Sequence, residues 1–309
     1  MYGAYIGDIV GSIYEFDNIK TKDFPLFSDR CDYTDDSVLS AAVASALLKA
    51  YEERRHGQKT TLCELLTLEL QQFGHRYPAP TGAYGGMFHQ WLRSEHPEPY
   101  NSCGNGSAMR ASACGILAVT LNEAIALGRA SASVTHDHPE GMKGAEALAA
   151  AVFLAKSGSK KDEISAFIRK NYYQIDFILD ELRPVYRFEG TCQKTVPQAL
   201  QAFFESESFE DALRNVISIG GDSDTAGAIC CAVAWMYYAV QAVGYDGWCK
   251  RALPQDMEEI KSRAEAYLPA EFIEIDTALR KAAVERADTY ARTGTCIPVM
   301  TEQETYQFG

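Results

Sequence analysis

An all-α fold follows from three features of this 309-residue sequence. Apolar residues recur at helical spacing, period-two alternation rich in Val, Ile and Thr is scarce, and residues 226–244 (AGAICCAVAWMYYAVQAVG) form a run without charge. A helix apolar all round suits the centre of a large helical protein. The spacing predicts a first helix over 4–14, where Gly7 and Gly11 permit close packing, and a second over 35–53, headed by Thr34 and two acids. Helices over 62–73, 82–94, 108–120 and 121–134 follow, then one over 139–157 begun by a proline. Further helices are expected over 161–171, 175–182, 195–206, 209–217 and the uncharged 225–243. Acidic and basic residues alternate in 255–268 and 270–293, the pattern of solvated amphipathic helices, and the tail TEQETYQFG has little reason to be ordered unless it docks.

The polar segment 157–163 (SGSKKDE) is a short connector, and no Pro/Gly/Ser tract is long enough to join two domains. One domain over 1–309 is expected, with chemistry-bearing motifs inside 1–243 and C-terminal helices and tail in 244–309. Lys and Arg number 29 against 42 Asp and Glu, a formal net charge of −13, which is opposite in sign to a nucleic-acid grip. The surplus of carboxylates suits a hard divalent cation. Nine cysteines are scattered without a C-x-x-C pair, as in a cytosolic protein with reduced thiols. The N-terminal MYGAYIGDIVGSIYEF has no basic leader and holds Asp8 and Glu15, so it reads as a core element rather than a secretory signal. The run 226–244 approaches bilayer-spanning length, but its small residues, Gln241 and its tyrosines argue for a buried helix.

Five stretches gather glycine, carboxylate and small residues at expected helix ends. Gly7 to Phe16 (GDIVGSIYEF) places Glu15 just beyond a helix, where a solvated acid is the alternative reading. Thr34-Asp35-Asp36-Ser37 heads one apolar helix and Gly221-Asp222-Ser223-Asp224-Thr225 another. Capping accounts for either alone, since Thr is a preferred N-cap and acids complement the helix dipole. Both helices are too apolar to lie outside, however, so their N-termini are expected to meet in the core. Carboxylates brought together there repel unless a cation neutralises them, and two Mg²⁺ ions would satisfy four carboxylates and two hydroxyls. Asn101 to Arg110 (NSCGNGSAMR) runs into a helix and offers backbone N–H groups to a phosphate or diphosphate. Ser133 to Pro139 (SVTHDHP) offers too few ligands for zinc, leaving hydrogen bonding, stacking or a surface loop.

Taken in order, G-D-x-x-G-x-x-x-E, T-D-D, G-N-G-x-A-M-R, T-H-x-x-P and G-G-D-x-D-T-x-G resemble the ADP-ribosylglycohydrolase family, which includes dinitrogenase reductase-activating glycohydrolases and ADP-ribosyl-acceptor hydrolases. The resemblance implies a single compact, orthogonal all-α domain with a binuclear Mg²⁺ centre at the base of an ADP-ribose cleft. It implies metal ligation by Thr34, Asp35 and Asp36 from one helix start and by Asp222, Asp224 and Thr225 from the other. Glu15 and Asp35 take the acid/base roles, Ser102, Cys103, Gly104, Asn105 and Gly106 hold the diphosphate, and His136 lines the ribose side. The activity so implied is Mg²⁺-dependent hydrolysis of the bond between ADP-ribose and a modified protein side chain. Arginine is favoured as acceptor because the motif order resembles the nitrogenase-reactivating branch and the negative charge suits a guanidinium. Serine or another O-linked acceptor is one alternative; a non-catalytic ADP-ribose-binding module and a structural protein with capping acids are the others. Tyr84, Phe88, His89 and Trp91 are candidates for the acceptor side or for core. The expected partner is an ADP-ribosylated protein or small ADP-ribosyl adduct, met by a monomer.

Overall fold

The computed structural model describes residues 1–56, 60–238 and 245–266. Its helices are α1 (Tyr2–Gly11), α2 (Asp35–Arg55), α3 (Leu62–Arg76), α4 (Gly86–Leu92), α5 (Gly106–Met109), α6 (Ser112–Leu117), α7 (Leu121–Ser133) and α8 (Pro139–Lys156). They continue as α9 (Lys161–Asn171), α10 (Leu179–Leu182), α11 (Cys192–Phe204), α12 (Phe209–Ser218), α13 (Ser223–Tyr237), α14 (Asp246–Ala252) and α15 (Gln255–Ala266). Among the described residues β-type pairing is limited to two isolated bridges, Thr34 with Thr81 and Gly104 with Thr191.

The starts are capped as the local sequence requires. Thr61 accepts from the Glu64 N–H and Glu64 returns a bond to the Thr61 N–H, closing a capping box on α3. Thr120 caps α7 and Ser208 caps α12, while Pro139 occupies the first turn of α8.

Helix α13 is buried at every position from Ser223 to Ala234, and it forms the axis of the fold. Helix α1 runs antiparallel against it, with α11, α12 and α8 on its other sides; α2 packs on α3, α6 and α15, and α7 pairs with α8. Close approach of α1 and α13 depends on glycine. A Cβ built on Gly7 would lie 2.0 Å from the Gly227 carbonyl oxygen, and one on Gly11 would lie 2.4 Å from that of Ser223. Because those neighbours are backbone, the helices themselves would have to part. Gly7→Ala is therefore expected to lower the thermal midpoint by about 5 °C or more through overpacking. A melt of the variant beside the parent checks this, and an unchanged midpoint would show that the two helices slide freely.

This pairing sets the C-terminal end of α1 beside the N-terminus of α13, and contacts of α2 with both bring its N-terminus to the same place. The two acid-headed helix starts thus meet, buried, as the apolar character of their helices requires.

Several boundaries differ from the expectation. The helix expected over 82–94 starts only at Gly86, because Gly82 and Ala83 take φ of +78° and +65° and break the screw. The one expected over 108–120 is two short helices, since Arg110 and Ala111 turn with ψ near zero. Only Leu179–Leu182 of the expected 175–182 is helical, and α14 was not anticipated. The ends of the helices expected over 225–243 and 255–268, the whole of 270–293 and the tail lie outside the described residues. The eight described cysteines are free thiols. Among the described residues no helix is long and apolar enough to cross a membrane.

Candidate functional site

The meeting of α1, α2 and α13 concentrates carboxylates. Asp8, fully buried on α1, receives the Thr34 hydroxyl at 2.7 Å and the backbone N–H groups of Thr34 and Ser37, each at 3.1 Å; the Ser37 hydroxyl donates to it as well. It therefore clamps the first turn of α2 in place. Asp36 accepts from Thr225 at 3.2 Å, joining α2 to α13. Asp222 accepts from the Asn105 side-chain amide at 2.7 Å, which ties α13 to the glycine loop. Its side chain makes no capping bond to α13, whereas Thr34 does accept from the Asp36 N–H at 3.2 Å. Capping thus describes part of one cluster and none of the Asp222 carboxylate.

Carboxylate oxygens of Asp8, Asp36 and Asp224 lie within 4.8 Å of one another, and so do those of Glu15, Asp222 and Asp224. Asp224 belongs to both trios. Asp36 Oδ1 and Asp224 Oδ1 are buried and have no hydrogen-bond partner, a costly state for carboxylate oxygens unless something positive completes them. An all-oxygen donor set with unsatisfied buried oxygens fits a hard divalent cation. Thr34 and Thr225 sit beside these trios, while Asp35 faces the cleft from α2 and belongs to neither trio.

Electrostatics agree with the geometry. Burial, then the charges of Asp224 and Asp8, pushes the Glu15 carboxyl up to about 8. Burial raises Asp8 and Asp222 to about 6 despite the hydrogen bonds that each accepts. Asp35 and Asp36 are held well above the usual carboxylate range by desolvation and then by Asp224 and Asp8, and Asp224 by desolvation and then by Asp222.

A cavity of about 340 Å³ opens above the trios. Ser102, Gly104, Asn105, Gly106 and His136 line it, as do Glu15, Asp35, Asp36, Asp222, Asp224 and Thr225. The glycine loop is fixed by the Asn105 N–H on the Gly190 carbonyl at 3.0 Å and by the Ser102 hydroxyl, which accepts the Gly104 N–H at 3.0 Å. Two of the expected residues stand back from the cavity. Thr34 is fully buried against Asp8, and Cys103 contributes its carbonyl to the Cys192 N–H rather than a surface to the cleft. Of the acceptor-side candidates, Tyr84 and Phe88 line the cavity and His89 and Trp91 do not; Trp91 is buried against Phe88.

Two residues escaped the sequence reading. Asp8 had a signal, a lone carboxylate between two glycines on an otherwise apolar helix, which must find buried partners. Arg110, fully buried and bordering the cavity, had none beyond its place at the end of the glycine loop.

A family model described as ADP-ribosylglycohydrolase matches residues 1–291. Among solved structures, one described as an ADP-ribosylglycohydrolase-related protein complex resembles this chain with a TM-score of 0.58 at 21% sequence identity, covering 91% of this chain and 95% of that one. At that identity the likeness concerns the fold.

Proposed function

From the premise that the chain belongs to the ADP-ribosylglycohydrolase family, and is by that membership a glycosyl hydrolase, we propose that it is a Mg²⁺-dependent enzyme that releases ADP-ribose from a modified protein side chain, arginine first. The observation that carries this reading is the pair of carboxylate trios sharing Asp224 on the floor of a cleft whose wall is a glycine loop.

In this reading Asp8, Asp36 and Asp224 border one ion, and Glu15, Asp222 and Asp224 the other, with Thr34 and Thr225 beside them. Mg²⁺ supplies Lewis-acid polarisation there and a fixed orientation for the hydroxyls of the distal ribose. The loop from Ser102 to Gly106 holds the diphosphate through backbone N–H groups, and Asn105 couples its position to Asp222. Glu15 and Asp35 hold and move the protons: one protonates the leaving nitrogen at the anomeric carbon while the other deprotonates the attacking water, a division familiar from glycoside hydrolysis. Asp35 suits this work because its carboxylate stands outside both trios yet faces the cleft. Tyr84 and Phe88 give the cleft an aromatic wall. The net charge of −13 favours approach of a cationic acceptor.

Release of free ADP-ribose from an arginine-modified and a serine-modified protein, each with Mg²⁺ and with EDTA, tests the reading. Release from the arginine substrate in Mg²⁺ alone is expected. Release from serine alone would move the acceptor, and tight ADP-ribose binding without product from either would make the chain a binding module.

A further inference from the structure

We propose that Arg110 and Thr135 lock His136 as the neutral tautomer protonated on Nε2, making its ring a fixed hydrogen-bond donor to an oxygen of the ligand's diphosphate–ribose unit. The identity of that ligand rests on the functional reading above; the tautomer does not.

All three side chains are buried, Arg110 and Thr135 fully and His136 to within 6%. The Arg110 Nη2 donates to the Ser131 carbonyl at 2.8 Å and to Thr135 Oγ1 at 2.5 Å. A threonine hydroxyl has one proton and two lone pairs, and the guanidinium claims one of those pairs. The Tyr100 hydroxyl is a further neighbour of the same side chain. The Thr135 hydroxyl reaches His136 Nδ1 at 2.8 Å and the Ala132 carbonyl at 3.3 Å. The shorter contact is the stronger, so Nδ1 accepts. A guanidinium on this side of the ring also favours a lone pair there over an N–H. With Nδ1 accepting, the neutral ring carries its proton on Nε2. Burial, and then the Arg110 charge, pushes the His136 pKa well down, so the ring stays neutral.

The ring's placement gives that proton a direction. Nε2 lies 3.3 Å from the position a Cβ on Gly104 would take and 3.5 Å from that on Gly106, so it lies against the glycine loop. Tyr100 packs on the ring with centroids 5.4 Å apart, and Gly141 backs it so closely that a Cβ there would lie 3.0 Å from the His136 Cβ. His136 is thus a positioned donor beside the loop's backbone N–H groups, and Thr135 and Arg110 are positioning residues that act through it. The arrangement leaves His136 no part in moving protons.

The test begins with the ligand-free protein. In long-range proton–nitrogen NMR spectra of ¹⁵N-histidine-labelled material, His136 is expected to show a protonated Nε2 and a bare Nδ1, unchanged from pH 6 to 8. A proton on Nδ1, or titration inside that range, overturns the proposal without touching the hydrolase reading. Next, ADP-ribose affinity is measured calorimetrically in EDTA. Thr135→Val is expected to mix the tautomers and weaken binding about tenfold, the scale of one lost hydrogen bond. Thr135→Ser should restore both, and His136→Gln, which keeps an N–H at similar reach, should bind better than His136→Phe. A Thr135→Val protein with an unmixed tautomer overturns the positioning role. A correct tautomer in a parent protein that binds no ADP-ribose overturns only the assignment of the ligand.

Discussion

Asp224→Asn is expected to lower ADP-ribose release by about a thousandfold, because it removes the one carboxylate common to both trios and with it several kcal/mol of cation-derived stabilisation of the transition state. The same change should leave the metal-free protein intact and slightly more stable. Asp224 is buried with an unpartnered Oδ1 among Asp8, Asp36, Asp222 and Glu15, and an amide of the same shape relieves their mutual repulsion. The two effects have opposite signs, which separates them from simple misfolding. Turnover would be followed with the modified protein substrate, and thermal midpoints taken in EDTA and in Mg²⁺. The parent should gain stability from Mg²⁺ and the variant little, since only binding to the native state raises the midpoint. A variant that keeps its turnover, or its full response to Mg²⁺, would show that the trios are not where the cations sit.

Metal-free protein should lose stability as pH rises from about 5 to 8, and Mg²⁺ should abolish or reverse that trend. Burial lifts Asp8 and Asp222 to about 6 and Glu15 to about 8, and Asp35, Asp36 and Asp224 lie well above the ordinary carboxylate value of 3.8. A carboxyl with a raised pKa binds its proton more tightly folded than unfolded. Its contribution is nil below the unfolded value, turns into a growing penalty as pH climbs past it, and levels off above the folded value. The window is therefore set by the interval from the unfolded range to about 8. Cation binding requires the deprotonated forms, so Mg²⁺ affinity grows over the same interval and binding releases protons. At pH 8 the gap between midpoints in EDTA and in saturating Mg²⁺ is expected to reach on the order of 10 °C, narrowing toward pH 5. His136 titrates in the opposite sense below its ordinary value, and Glu210, held low by Arg214 and Tyr245, acts at still lower pH. Both operate with and without metal, so the difference between the two curves isolates the site. A gap that does not change with pH would contradict the crowding of carboxylates described here.

The fold was legible because local rules and packing agree over most of the chain. Thr61 followed by Glu64, Pro139 in a first turn and the uncharged run headed by Asp222 are signals carried by a few neighbouring residues, and each helix appears where they point. The misreadings fall where the backbone departs from its local preference. Gly82 and Ala83 hold left-handed φ beside Glu15, and Arg110 and Ala111 turn at the back of the glycine loop. Both departures border the cleft, where the chain is bent to present groups to a ligand rather than to complete a helix.

By itself the sequence determined the all-α class, the acid-headed helix starts and the residue types of the site, since these depend on periodicity, capping chemistry and charge within a few residues. Only the tertiary structure decided which of those ends meet. The antiparallel seat of α1 on α13 at Gly7 and Gly227 carries Asp8 to the first turn of α2, groups the carboxylates around Asp224, and lays Arg110 and Thr135 behind His136. Asp8 and Thr34 stand 26 residues apart in the chain, and Asn105 and Asp222 stand 117 apart. Contacts at such separations follow from how whole helices bury their faces against one another, a global minimum that no local stretch of sequence encodes.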